Sequence, residues 1–315
     1  MSERPLPSFP FRIEFEVTGL CNIDCKYCYA RPLSSLTPTV DQLCFLFNKT
    51  KEEADPFEVI ILGGEPFIRK DIISILELAQ GIFKIQKIGV STNGTLIHKL
   101  TTDDLTRLKT LSERGLSFQI TLDSTNPEIH DILRGKGKDT LAGLNTFEKE
   151  DIPFVIGMCL TSHNYSDITN SITQLLTDYS QLSHINLMPL QPFSPSDKTY
   201  SSYCLASEQM RKIRNEVADI ILDAGRSDVT ISGVTDCGEA IDALPLINTY
   251  NFKTCLAGLT RAGVYPDGSV SPCTTMRNHS LGNLYNESWK EIWTRARKRF
   301  ENLDITGSQC HALST

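Results

Sequence analysis

Cys21, Cys25 and Cys28 lie in the run C-N-I-D-C-K-Y-C-Y, with three residues in the first gap and two in the second. Thiols at that spacing force the chain into one short loop around whatever they bind, and the loop holds no fourth sulfur. A closed structural zinc site takes four protein ligands, usually as two C-x-x-C pairs or with histidines at helical spacing, and this loop supplies neither. An iron–sulfur cluster held by three thiolates keeps one iron open to an outside ligand, and chemistry can start there. A zinc knuckle, or three buried cysteines that happen to be close, is the plainer alternative.

The chain has ten cysteines, and its amino terminus M-S-E-R-P-L-P-S-F-P is polar and proline-rich, without a secretory apolar segment. Metal ligation or redox chemistry in a reducing compartment follows, since disulfides would not persist there. No stretch approaches the roughly eighteen uninterrupted apolar residues of a membrane span, so a cytoplasmic protein without a membrane partner is expected. A net charge of −7 with interspersed signs argues against nucleic acid as a partner. The one basic run, Arg295 to Arg299, reads as the solvated end of a helix, where cations suit the macrodipole.

Across the first two thirds of the 315 residues, short β-rich runs alternate with helical stretches, the pattern of a parallel sheet built from βα units. Strands are predicted at Arg12 to Val17, Phe57 to Leu62, Lys87 to Thr92, Leu116 to Asp123, Phe154 to Leu160 and His184 to Leu190. A helix is predicted over Thr39 to Ala54, opened by a Thr-x-Asp start signal. Six such units make an α/β fold of the partial (β/α)6 TIM-like barrel type, with functional residues at the carboxyl ends of the strands. An amphipathic helix over Ser207 to Ala224, with Met210, Ile213, Val217, Ile220 and Ile221 on one stripe, packs on the sheet. Beyond it the pattern changes, which places a barrel over residues 1–234 and a small second domain over 235–315.

Each predicted strand end carries a polar motif. Gly63-Gly64-Glu65-Pro66 offers two glycines that permit close backbone approach, a carboxylate and a rigid stop, though alone it is an ordinary turn. Ser91-Thr92-Asn93-Gly94 could hydrogen-bond a ribose or simply form an Asx turn. Thr121-Leu122-Asp123 is followed by Arg134-Gly135, and Thr161-Ser162-His163-Asn164 ends the fifth strand.

With these residues in order behind a C-x-x-x-C-x-x-C loop, the chain resembles radical S-adenosylmethionine (SAM) enzymes from about Ile13 onward. The loop is similar to the family signature, including the aromatic Tyr27 before the last cysteine. Gly63 to Pro66 resembles its methionine-binding G-G-E-P, Ser91 to Gly94 its ribose segment, and Leu122 to Gly135 the S-L-D-G…R-G pattern of its peptide- and cofactor-maturing branch. The resemblance implies that Cys21, Cys25 and Cys28 hold a 4Fe-4S cluster whose free iron chelates SAM. One-electron reduction then yields methionine and a 5′-deoxyadenosyl radical. It also places Gly63, Gly64, Glu65 and Pro66 at the methionine, Ser91 and Asn93 at the ribose, and Tyr27, Thr121 and Asp123 around the cofactor. Arg134 becomes a partner for the methionine carboxylate, or else a surface arginine.

Cys255, Cys273 and Cys310 fall around a hairpin reading A-G-V-Y-P-D-G-S-V-S-P-C, whose Asp-Gly turn would bring Cys273 back toward Cys255. This segment resembles the opening of a SPASM/Twitch iron–sulfur domain. A full SPASM region would continue with several close cysteines, whereas here Cys310 stands alone, so a shortened, Twitch-like module with one auxiliary 4Fe-4S cluster is expected. Its fourth iron would be bound by Cys237, by substrate or by nothing in the protein. Three ordinary cysteines in a small domain is the alternative. Cys44 reads as a core residue, and Cys159, Cys204 or Cys237 could donate hydrogen to a substrate radical.

The function expected is hydrogen abstraction from a peptide or peptide-like natural-product precursor, served by an electron donor such as flavodoxin or ferredoxin. The alternatives are a dehydrogenase or epimerase of an amino sugar or cyclitol, and a non-catalytic iron–sulfur electron carrier or scaffold.

Overall fold

In a computed structural model of the chain, which describes residues 8–30, 34–190, 202–233 and 257–300, the alternating runs become one sheet. Strands β1 (Arg12–Glu16), β2 (Glu58–Leu62), β3 (Lys87–Thr92), β4 (Leu116–Thr121), β5 (Phe154–Leu160), β6 (Leu182–Pro189) and β7 (Thr230–Gly233) lie side by side in chain order, all parallel. The six expected strands are present within a residue or two of their expected bounds. The seventh, T-I-S-G, is too short and too poor in alternation to be read from the sequence.

Helices α1 (Val40–Glu53), α2 (Ile72–Ile82), α3 (Thr102–Glu113), α4 (Pro127–Leu133), α5 (Gly137–Lys149), α6 (Ile168–Asp178) and α7 (Ser207–Ala224) fill the crossovers. The start signal of α1 is a capping box: Thr39 accepts the Gln42 N–H at 3.2 Å while Gln42 accepts the Thr39 N–H at 2.8 Å. Helix α7 buries Met210, Ile213 and Val217, as its stripe requires. Cys44 is half-buried on the flank of α1, its sulfur accepting from Asn48 at 3.3 Å, because the buried stripe runs through Leu43, Leu46 and Phe47 instead.

The carboxy-terminal segment continues the sheet rather than starting another. Strand β8 (Arg261–Val264) pairs in parallel with the free side of β1, and β9 (Ser269–Ser271) and β10 (Gly282–Asn283) follow antiparallel. The Asp267-Gly268 turn joins β8 to β9, with Gly268 at φ 77°. Helix α8 (Trp289–Phe300) seats Trp289 on α1, where its indole N–H donates to Thr50 at 3.0 Å and its backbone N–H to Glu53 at 2.7 Å. The expected boundary at 234/235 falls where the described residues end. No helix among the described residues is long and apolar enough to cross a membrane.

The two faces of the sheet differ in kind. Phe15, Phe118, Ile120, Ile156, Ile185 and Leu187 point to the helices and form the core; Phe15 meets Phe47 edge-on at 4.9 Å. The alternate residues face inward: a Cβ built on Gly157 would touch Gln119 and Met188 from the neighbouring strands. That inner face is polar and partly open along β4 and β6.

Candidate active site

The three-cysteine loop runs from the end of β1 and is held against the ends of β2 and β3. The Gly64 and Glu65 N–H groups donate to the Thr18 and Leu20 carbonyls, both at 2.7 Å. A Cβ on Gly63 would lie 2.5 Å from the Thr18 carbonyl and one on Gly64 2.1 Å from that of Leu20. The close backbone approach that the glycine pair permits is therefore with the chain's own cysteine loop, and the loop's height above the sheet depends on it.

Glu65, 1% exposed, joins β2 to β3. Its Oε1 accepts from Thr92 Oγ1 at 2.7 Å and from the Phe67 N–H at 2.9 Å, and its Oε2 from the Asn93 N–H at 2.7 Å. Burial pushes this carboxyl up, while the hydrogen bonds from Asn93 and Thr92 pull it down. Pro66 opens the short 3-10 turn that Glu65 caps. The Asn93 amide reaches back to the cysteine loop, donating to Asn22 Oδ1 at 3.0 Å and lying 4.0 Å from Cys21 Sγ. Asn22 in turn donates to Thr95 at 2.8 Å. Asn93 thus spends its side chain orienting the loop. Ser91 stands half-buried on the inner face of β3, and Thr121 likewise at the end of β4.

On the other flank, Lys26 N–H donates to the Leu133 carbonyl at 2.8 Å, tying the loop to the end of α4. Arg134, the C-cap of α4, donates to the Tyr27 hydroxyl at 2.8 Å, and that hydroxyl donates to Asp123. Asp123 also accepts the Cys159 N–H at 3.1 Å. Arg134 lies close enough to all three loop cysteines to lower their pKa, yet its Nε is buried without a partner. Burial wins nonetheless: Cys25 is pushed up to about 11, and Cys21 and Cys28 are raised.

The donor set fits an iron–sulfur cluster with a carboxylate-bearing ligand. Among the described residues no three His, Cys, Asp or Glu side chains gather tightly enough for a single metal ion, whereas thiolates on a cluster each bind a different iron. The three thiols are electrostatic neighbours of one another, and the orphaned Arg134 Nε–H beside them lacks an acceptor that a carboxylate would supply.

Two of the three candidate hydrogen donors come together. Cys159 belongs to an apolar cluster with Tyr27, Leu133 and Leu190, against which Cys204 and Tyr203 pack. Cys237, Cys255 and Cys310 lie outside the described residues. Cys273 follows β9, half-buried, with its sulfur 3.2 Å from Thr275 Oγ1. The Thr161 to Asn164 motif is a bracket: Asn164 donates to the Asp123 and Cys159 carbonyls at 2.7 and 2.8 Å.

Three groups escaped the sequence reading. Arg69 is buried and donates to the Val17 and Pro38 carbonyls, both at 2.7 Å, clamping the two ends of the cysteine segment; a lone arginine after a turn gives no signal of that. His130, 1% exposed, accepts the Asp123 N–H at 3.3 Å and is pushed down to about 3 by burial and by Arg134. Glu14 and Glu16 on β1 are both buried.

The family model for the radical SAM superfamily matches residues 15–175, and the model for an iron–sulfur cluster-binding domain matches residues 255–312. The chain is 26% identical over 309 residues to the AdoMet-dependent heme synthase of Methanosarcina barkeri, covering 91% of this chain and 83% of that protein. It is 28% identical over 296 residues to the subtilosin biosynthesis protein AlbA of Bacillus subtilis, covering 90% of this chain but 59% of AlbA. A probable GTP 3′,8-cyclase of Methanothermobacter thermautotrophicus is 25% identical, covering 85% of both chains. Among solved structures, SuiB of Streptococcus suis bound to its precursor peptide SuiA superposes with a TM-score of 0.71 at 15% identity, over 91% of this chain and 65% of SuiB.

Proposed function

The chain belongs to the radical SAM superfamily, and on that premise we propose that it abstracts hydrogen from a peptide or peptide-like precursor. It is a radical SAM enzyme with an iron–sulfur cluster-binding domain, and its cofactors are 4Fe-4S clusters and SAM. Bound together, the cluster and SAM supply a hydrogen-abstracting carbon radical.

The chain's own residues hold and orient. Cys21, Cys25 and Cys28 would ligate the cluster, with Cys255, Cys273 and Cys310 serving one auxiliary cluster. Arg134, steadied by Tyr27 and Asp123, would take the SAM carboxylate as a guanidinium fork. Glu65, Pro66 and Asn93 would fix the loop ends against which SAM lies. Gly63 and Gly64, whose bulk-free approach sets the loop height, would leave carbonyls toward its ammonium. Ser91 and Thr121 would meet it from the inner face. The domain division at 234/235 is kept, and flavodoxin or ferredoxin is proposed as reductant.

One observation carries the peptide reading: strands β4 to β7 contain no Lys, Arg, Asp or Glu. Their inner face presents Gln119, Thr121, Asn186, Thr230 and Ser232, with His184 held neutral-leaning by burial. A triphosphate asks for cations that this face lacks, whereas backbone amides pair well with uncharged donors and acceptors. AlbA supports the same reading by its part in subtilosin biosynthesis.

A second reading, an epimerase of a small amino sugar or cyclitol, is favoured by Cys159 and Cys204 sharing the cluster at Tyr27, where a thiol could return hydrogen. The test is 5′-deoxyadenosine release from SAM by anaerobically reconstituted protein with precursor-type peptides, GTP or amino sugars. Stimulation by a peptide supports the proposal; stimulation by GTP or an amino sugar alone overturns it. Deuterium entering the product from deuterated water, lost in Cys159→Ala or Cys204→Ala, would favour the epimerase.

A further inference from the structure

The inner face of β1 carries two buried carboxylates, Glu14 and Glu16, on the strand that leads directly into the three-cysteine loop. Both are met by residues from just beyond Cys273. Glu14 accepts from Thr274 Oγ1 at 2.8 Å and from Arg12 Nε at 2.9 Å. Glu16 is ion-paired with Arg277, whose guanidinium lies 4.7 Å from the centre of the Tyr265 ring. The two cysteine segments touch there: Tyr29, which follows Cys28, hydrogen-bonds to Thr274, which follows Cys273. Arg277 and Glu16 are near enough to Cys28 to act on its thiol with opposite signs.

This pairing is incompletely satisfied. Glu16 Oε1 and Arg277 Nε are each buried without a hydrogen-bond partner. Taking the Glu16 carboxylate out of water costs several kcal/mol, and an ion pair of this kind is weak evidence for stability alone, so its place between the two cysteine segments calls for another role.

We propose that Glu16 and Arg277 are a balanced charge pair fixed between the cluster held by Cys21, Cys25 and Cys28 and the Cys273 segment, in which the carboxylate cancels the rise in reduction potential that the guanidinium alone would impose. The inference rests on those three cysteines being the ligands. An iron–sulfur cluster becomes more negative on reduction, so a neighbouring cation raises its potential and an anion lowers it. In a buried, low-dielectric setting such charges act strongly over a few ångströms. Paired, the two nearly cancel at the cluster; Arg277 left alone acts with its own sign, whereas the buried Glu16 left alone takes up a proton.

The experiment is an electron-paramagnetic-resonance redox titration of the reconstituted protein at about pH 8, where Glu16 is charged. Glu16→Gln leaves Arg277 uncompensated and should raise the midpoint of the SAM-binding cluster. Arg277→Met removes the cation and, with it, the charge that keeps the buried Glu16 ionised, so both charges go and the midpoint should stay close to wild type. The double variant should return close to wild type. An unmoved midpoint in Glu16→Gln, or shifts of one sign in both single variants, overturn the inference, since general loosening would move them together. If Arg277→Met does not fold, Arg277→Lys takes its place: it should hold the wild-type midpoint while Glu16→Gln raises it, and equal behaviour of the two overturns the inference. Iron content separates the premise from the inference: if a Cys21, Cys25 and Cys28 triple alanine variant keeps the full signal, the ligand assignment fails and the inference with it.

Discussion

Glu65 accepts the backbone N–H of Asn93 at 2.7 Å, a bond by which the end of β2 fixes the end of β3. The same carboxylate holds the Thr92 hydroxyl and the Phe67 N–H. A glutamine has one acceptor oxygen where the carboxylate has two, so its amide N–H would face a donor it cannot satisfy. Glu65→Gln is expected to cost about 1–3 kcal/mol in urea unfolding, and to weaken SAM binding more than a surface substitution of equal stability cost.

Gly64→Ala tests the loop height. The new Cβ would sit 2.1 Å from the Leu20 carbonyl, a clash with backbone that no rotamer can relieve. The cysteine loop must lift, so iron bound after reconstitution should fall while the circular dichroism of the sheet persists. Gly81→Ala is the control: it meets nothing within 4 Å on α2 and should stabilise by about 0.5–1 kcal/mol.

How much of this was legible before the structure varied with what each residue faces. The strands were readable because Phe118 and Ile120, or Ile185 and Leu187, alternate with polar neighbours, and a sheet packed by helices on one face imposes that period. The same alternation does not reveal what the charged residues of β1, Glu14 and Glu16, face. The carboxy-terminal segment covers that face of β1, and both carboxylates are buried there against Thr274 and Arg277, some 260 positions away in sequence. The motifs at the strand ends were recognisable as types of residue, but whom they contact was not. Asn93 turns to Asn22 and Gly64 to Leu20 because these partners arrive from the loop after β1, a tertiary fact without local signal.

Arg134→Lys separates charge from shape. Lysine keeps the cation near the three thiols but loses the planar fork that can bond Tyr27 and a carboxylate together. SAM affinity, followed as the change in cluster spectrum on adding SAM, is expected to drop by about ten-fold or more, in line with the loss of one charge-assisted hydrogen bond. Iron content should stay at the wild-type level. Equal SAM affinity in the variant would assign the arginine to the loop's electrostatics alone.

The pH dependence of stability should carry the mark of Glu16. Burial raises this carboxyl from 4.5 to about 7 despite the Arg277 charge beside it. Between those values the native state holds a proton that the unfolded chain has released, so stability falls as pH rises from about 4.5 to 7 and is level above. The size is about 3 kcal/mol, from roughly 1.4 kcal/mol per pKa unit. His130 acts the other way: its native value near 3 lies below the ordinary 6.5, so the unfolded chain binds the extra proton and stability rises with pH through that range. The two slopes oppose each other from about 4.5 to 6.5, and the raw profile of the wild type will look flatter than either. Subtracting the Glu16→Gln profile removes the histidine's share, leaving the Glu16 slope alone in urea unfolding at about pH 5, 6, 7 and 8. A difference that does not change with pH would mean that Glu16 titrates at its ordinary value.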